Sequence, residues 1–294
     1  MPTFRKNRNI SQRRVTLVLA TALLAPLVTV LTSSAANAKQ VPHSSSAVTV
    51  INDASFSSPS AITSSGADVW VANSGGTSRN PSVSEINATT GAVTAIKSPF
   101  FMFPNGIVAD GSIIWVADGV GGPSLNGSVE EINATTDAVT QLNDPSFNNP
   151  VAIASSGADV WVANQNGGPS GSGSVSEINA TTGAVTVIND PSFNSPAAIA
   201  ADATHVWVAN SGGGAHGNGS VSEITIATGT VTQINDASIN NPNDISDDGT
   251  NVWVANIGGG SSGTGSLSKI NASTGAVTAI NSPNFDPYVV VSNV

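Results

Sequence analysis

The chain has 294 residues, only 10% of them charged, no cysteine and a formal net charge of −10. The missing thiols exclude disulfides, thiolate metal sites and a cysteine nucleophile, and the acidic balance argues against nucleic acid as a partner. Ser, Thr, Asn, Gly and Ala stand where Lys and Glu usually do, which is the composition of a secreted surface.

Residues 1–38 read as a signal peptide. Arg5, Lys6, Arg8, Arg13 and Arg14 make a basic start, Val15 to Leu31 is mostly apolar, and Ala36-Asn37-Ala38 offers a small-residue cleavage site. The Arg13-Arg14 pair is compatible with twin-arginine export as well as ordinary secretion. The apolar run of 17 residues is short for a membrane span, so cleavage is favoured over anchoring and no span is expected afterwards. Removing this segment leaves four basic against 19 acidic residues, a net charge of −15. Residues 39–46 (KQVPHSSS) read as a flexible lead-in, and residues 47–294 as one repeat domain.

The repeat is set by tryptophan. Trp70, Trp115, Trp161, Trp207 and Trp253 are spaced by 45, 46, 46 and 46 residues, each inside an apolar run such as Val160-Trp161-Val162-Ala163-Asn164. Trp and β-branched residues on both faces predict a strand buried on both sides. In the third copy, Pro150 to Ala154 is a first strand, Ser155 to Ala158 a turn, and Asp159 to Ala163 the tryptophan strand. A Gly-rich loop follows to Gly173, then strands over Ser174–Ile178 and Ala184–Ile188 joined by the hairpin Asn179-Ala180-Thr181-Thr182-Gly183. The inner two strands are apolar, and the outer two are richer in Ser, Thr and Glu.

Four short strands in about 46 residues describe one blade of a β-propeller, in which neighbouring blades shield each other's apolar faces. The fold class is therefore all-β, with five complete four-stranded blades at roughly 57–100, 101–146, 147–192, 193–238 and 239–281. Terminal strands are left over: Ala47 to Ile51 repeats a fourth strand, and Pro287-Tyr288-Val289-Val290-Val291 repeats a first strand. They suit a ring of five with appended strands and equally a ring of six whose last blade is incomplete.

The copies PSAITSSGADVWVANSGG and FPNGIVADGSIIWVADGVGG, with their Thr-Gly hairpins, resemble the YVTN, NHL and streptogramin-lyase-like repeat propellers over nearly all of residues 47–291. That superfamily holds lyases, lactonases and binding modules, so the resemblance implies a fold more than an activity. Streptogramin lyases use His and Glu beside a magnesium ion. Here the residues closing the tryptophan strands are Asn73, Asp118, Asn164, Asn210 and Asn256, and the histidines His43, His205 and His216 fall at non-equivalent places. Gluconolactonases of the regucalcin type bind a divalent metal through Glu, Asn and Asp, with one Asn in Pro-Asn-Gly. Pro104-Asn105-Gly106 matches that motif and Pro242-Asn243-Asp244 matches in part, but no copy has a first-strand glutamate.

Loops after the second and fourth strands of a propeller open on one face, so any ligand site is expected there. The rim receives Ser60, Asn105, Val151, Ala197, Asn243 and Tyr288 after the opening prolines, and Asn73, Asn164, Asn210 and Asn256 at the ends of the tryptophan strands. Asn105, Asn243, Asp244 and Asp118 could supply oxygen ligands to Ca²⁺ or another divalent cation; the competing reading is that they cap turns. Glu85, Glu131, Glu177 and Glu223 recur one per blade, with Lys269 in the fifth, which is no paired-carboxylate arrangement. Asn-Ala-Thr at 87, 133 and 179 and Asn-Ala-Ser at 271 fit glycosylation acceptors but are read as hairpin turns. The leading expectation is a monomeric, non-catalytic scaffold without a cofactor, secreted or in the cell envelope of a bacterium, that binds a protein, glycan or cell-wall partner. A metal-dependent lactonase-like hydrolase is the alternative.

Overall fold

The computed structural model describes residues 50–76, 79–215, 217–260, 265–282, 287, 289 and 290. The chain divides into two units, Met1–Asp53 and Ala54–Val294, and every strand lies in the second. Residues 1–38, expected to be a signal peptide, the expected lead-in 39–46, His43, His216 and Tyr288 lie outside the described residues. Among the described residues no helix is long and apolar enough to cross a membrane.

Twenty strands form five four-stranded antiparallel sheets, each a meander in chain order. The first blade is β1 (Pro59–Ser65), β2 (Asp68–Asn73), β3 (Ser82–Asn87) and β4 (Val93–Ile96); the second is β5 (Pro104–Asp110), β6 (Ile113–Asp118), β7 (Ser128–Asn133) and β8 (Val139–Leu142). The third is β9 (Pro150–Ser156), β10 (Asp159–Asn164), β11 (Ser174–Asn179) and β12 (Val185–Ile188). The fourth is β13 (Pro196–Ala201), β14 (His205–Asn210), β15 (Ser220–Thr225) and β16 (Thr230–Ile234). The fifth is β17 (Pro242–Asp247), β18 (Asn251–Asn256), β19 (Ser266–Asn271) and β20 (Val277–Ile280).

Local chemistry sets these boundaries. Ser156 pairs with Asp159, so the predicted four-residue turn shrinks to Gly157-Ala158, with Gly157 supplying a φ of 62° that L residues resist. At the other hairpin, Asn179 Oδ1 accepts the Thr182 N–H at 3.0 Å, and Asn271 does the same for Thr274. The Asn-Ala-Thr/Ser sequences are turn formers here. The third strand departs from its expected polar, outer character: Ser174, Val175, Ser176 and Ile178 are wholly buried. Its serines face a network at the end of the tryptophan strand, described below, and not solvent.

The core is divided among the blade interfaces. Trp161, Ala163 and Val175 of the third blade pack against Phe193, Ile199, Val206, Val208 and Ile224 of the fourth. Equivalent residues repeat this cluster at the three other joints. Burying each such side chain contributes about 1.5–3 kcal/mol, so the interfaces carry most of the folding energy. Innermost strands follow one another in the order β1, β5, β9, β13, β17.

The series stops short of closing on itself. Among the described residues β17 does not pack on β1 as it packs on β13. Ile62 is 46% exposed, whereas Ile107, Ile153, Ile199 and Ile245 are 5–8% exposed against the preceding blade. At the far side Trp253 and Leu267 are half-buried, in contrast to their buried counterparts. The carboxy-terminal residues enter as the next first strand would. Pro287 lies against Gly265 as Pro196 lies against Gly173, where an added Cβ would stand 2.3–2.4 Å from the proline Cδ. The Val290 N–H then donates to Asp244 Oδ2 at 2.8 Å.

Trp161→Ala should therefore cost about 3–5 kcal/mol of unfolding free energy in urea, because the cavity opens in a closed joint. Trp253→Ala should cost distinctly less; equal losses would contradict this account of the interfaces.

Candidate functional site

The second-to-third-strand loops and the loops that enter the next blade meet on one rim. Gln165 N–H donates to Asn149 O at 3.0 Å, Ser211 N–H to Ser195 O at 3.0 Å, and Ile257 N–H to Asn241 O at 3.1 Å. Beneath each contact sits the residue that closes the tryptophan strand. Asn210 Oδ1 accepts the Asn194 N–H at 3.2 Å, while its Nδ2 donates to Ser222 Oγ at 2.9 Å and to Val208 O at 3.2 Å. Ser222 Oγ in turn donates to Ser192 Oγ at 2.9 Å. Asn164 and Asn256 do the same with Ser176 and Ser268. Asn73 donates to Ser84 at 3.0 Å. All four asparagines have no exposed surface, so these predicted rim residues lie under the rim; Asn164, Asn210 and Asn256 hold its loops, while Asn73 Oδ1 has no partner.

The second blade replaces this set. Asp118 stands for the asparagine, Glu130 for the serine of the third strand, and Phe100 for the serine of the incoming loop. Asp118 accepts two consecutive main-chain donors, Met102 N–H at 2.6 Å and Phe103 N–H at 2.8 Å, as well as Val120 N–H at 3.1 Å. Glu130 Oε1 accepts Ser128 Oγ at 2.5 Å and Gln141 Nε2 at 3.2 Å, and its Oε2 is buried without a partner. Burial pushes the Glu130 carboxyl up to about 8, with the nearby Asp118 charge adding to the rise. Burial also raises Asp118, against the pull of its main-chain donors. At neutral pH Glu130 therefore keeps its proton.

The remaining predicted site residues are spread around the inner strands. Asn105 on β5 donates to Pro150 O of the next blade at 2.9 Å, and Ser60 on β1 donates to Pro104 O at 2.7 Å. Val151 and Ala197 are half-buried, and Asn243 is exposed on β17. Burial raises Asp244 to about 6, and its carboxylate holds the Val290 N–H. Asn105 and Asp118 thus belong to the second blade and Asn243 and Asp244 to the fifth. Among the described residues no group of three or more His, Asp or Glu side chains could hold a metal ion. His205 lies 3.4 Å from Glu223 on the flank of the fourth blade, away from the rim. Sequence reasoning missed Glu130 and the loop 97–103; aligning the copies column by column would have exposed both.

No family model matches the chain, and no curated protein does. Solved structures do. A chain of the nidogen/laminin complex is similar with a TM-score of 0.59 at 12% identity, over 80% of this chain and 84% of that one. Hydrazine synthase of Kuenenia stuttgartiensis is similar with a TM-score of 0.59 at 18% identity, over 77% of this chain and 66% of that one. At such identities the likeness is one of fold, and it agrees with the β-propeller assembled above.

The Glu130 carboxyl gives a pH prediction. The folded chain holds this proton up to about 8, whereas the unfolded chain releases it near the ordinary glutamate value of 4.5. The folded state therefore binds more protons in that window, and stability should fall by about 1.4 kcal/mol per pH unit as pH rises through it. Glu130→Gln should flatten this slope in thermal melts from pH 5 to 8 and leave the variant the more stable at pH 8.

Proposed function

We propose that the chain is a non-catalytic binding scaffold that works outside the cytoplasm and presents its loop rim to a protein partner. The observation that carries this reading is the rim's support: in the second to fifth blades a buried side chain closing the tryptophan strand accepts a main-chain N–H of the incoming loop. Rigid loops on a repeated frame are pre-organised for recognition, which lowers the entropic cost of association. The nidogen/laminin neighbour, a complex of proteins, is compatible with such a role. The basic, apolar start of the chain supports export.

The lactonase-like alternative draws no support from these contacts. Asn105 is committed to Pro150 and Asp118 to three main-chain N–H groups. A catalytic rim needs such groups turned toward a substrate.

Immobilised mature chain should retain a protein from the secreted and envelope fractions of its own cells, competed by soluble chain. Retention should weaken when exposed residues of the rim loops are replaced. It should survive substitution of Thr90, Thr182 or Thr274, in the hairpins joining the third and fourth strands. Turnover of a lactone, abolished by Asn105→Ala, would defeat the scaffold reading.

A further inference from the structure

One sector of the rim departs from the rest. The loops entering the third and fourth blades, 143–149 and 189–195, read Asn-Asp-Pro-Ser-Phe-Asn-Asn/Ser, and those entering the first and fifth, 52–58 and 235–241, keep Asn-Asp-Ala-Ser before Phe56 or Ile239, but between the first and second blades the loop reads Lys97-Ser98-Pro99-Phe100-Phe101-Met102-Phe103. Phe101, the core residue, keeps its type and its burial, and Pro99 keeps the proline of 145 and 191. An asparagine has become a lysine, an aspartate a serine, and Ser, Asn and Asn have become Phe, Met and Phe. Of the eight large hydrophobic side chains left exposed between Ala54 and Val290 among the described residues, five lie here: Phe100, Met102, Phe103, Val120 and Leu125.

The flanking Gly-rich loops add two independent signs. Leu125 and Arg79 occupy the tip position held by Gly171 and Gly217 in the third and fourth blades, and all four have φ between 51° and 69°. A left-handed conformation costs a non-glycine residue roughly 1–2 kcal/mol, yet both side chains face solvent and return nothing to the core. Cations also collect here: beyond residue 50 the chain has only Arg79, Lys97 and Lys269, and the first two flank this loop. In the other blades the counterpart of Lys97 lies against the Gly-rich loop of its own blade, as Asn143 does with Gly122 and Asn189 with Gly168. In the first blade that is the loop bearing Arg79.

The buried acids account for the firmness of the surface. Where the asparagines hold one incoming N–H, Asp118 clamps both Met102 and Phe103. The two exposed apolar side chains therefore project from a fixed backbone, which suits a contact that must not lose entropy on binding.

We propose that this sector, from Arg79 across the 97–103 loop to Leu125, is the docking surface for a protein segment whose apolar side chains are flanked by carboxylates. The inference rests on the scaffold reading and deepens it. An apolar centre rimmed by cations on an otherwise acidic chain is complementary to an acidic, apolar strand or loop. An anionic lipid surface fits less well, because the rest of the domain is acidic and would be repelled.

The test uses full-length mature chain and a synthetic peptide in which glutamates alternate with leucine and phenylalanine. Saturable binding is expected, weakening with salt, absent for the peptide with lysines in place of glutamates, and absent for phosphatidylglycerol vesicles. Changing the loop to its sister residues, with Met102→Asn and Phe103→Asn, should lower affinity about tenfold, and Lys97→Asn several-fold. Leu125→Gly should lower affinity while keeping or raising the thermal midpoint, which separates a lost contact from a lost fold. Binding to vesicles alone, equal binding of the lysine peptide, no binding, or indifference to these variants overturns the proposal. Retention of a partner through rim residues of the third to fifth blades, untouched by changes at 97–103, would sink this surface and leave the scaffold standing.

Discussion

The structure depends on the burial of one blade's tryptophan strand against the next blade's Phe, Ile and Val. No sheet here has a core of its own: the clusters containing Trp70, Trp115, Trp161 and Trp207 all straddle two blades. The indole nitrogens of these four find no hydrogen-bond partner, so packing area holds them in place. Among the described residues no four-stranded sheet follows that of Trp253. There the indole donates to Asp248 at 2.8 Å and Lys269 lies 5.5 Å over its ring, in the place where the other blades carry a glutamate. The one exchange of glutamate for lysine thus coincides with the one tryptophan left partly in water, and a cation over an aromatic face suits that setting.

A second constraint acts at the rim. Loops rich in Gly, Ser and Asn would be loose if unsupported, and a buried Asn–Ser–Ser chain counters this in the first, third, fourth and fifth blades. Most polar atoms of that chain are spent on structure, Asn73 Oδ1 being left buried without a partner. The second blade keeps the function of the network and changes its charge: a carboxylate accepts two N–H groups, and a glutamic acid kept neutral by burial fills the space of the serine. The changes at 100, 118 and 130 form one compensated set, since a lone aspartate opposite a serine, or a lone glutamate opposite an asparagine, would leave a buried charge poorly matched.

Much of the fold was legible in the sequence. The tryptophan period set the number of blades, the Asn-Ala-Thr hairpins and opening prolines marked strand ends, and Pro287 was recognisable as the start of another first strand. The site was less legible. Asn73, Asn164, Asn210 and Asn256 occupy ends of strands, where exposure and burial look alike in sequence, because a propeller strand ends under a loop that comes from another blade. Ser176 and Ser222 look like solvent-facing strand residues by alternation, yet they serve the buried asparagines.

What the sequence determined by itself was the repeat, and with it the all-β class, the strand order within each blade and the residues that must be hidden. These follow from local periodicity and from the inability of a 46-residue unit to bury its own apolar faces. What only the tertiary structure decided was which polar residues meet. Asp118 reaches Met102 across 16 positions within the second blade, and Asn105 reaches Pro150 across 45, into the third. The identity of a rim residue is set by its neighbours in space, and those neighbours exist only once the blades have stacked.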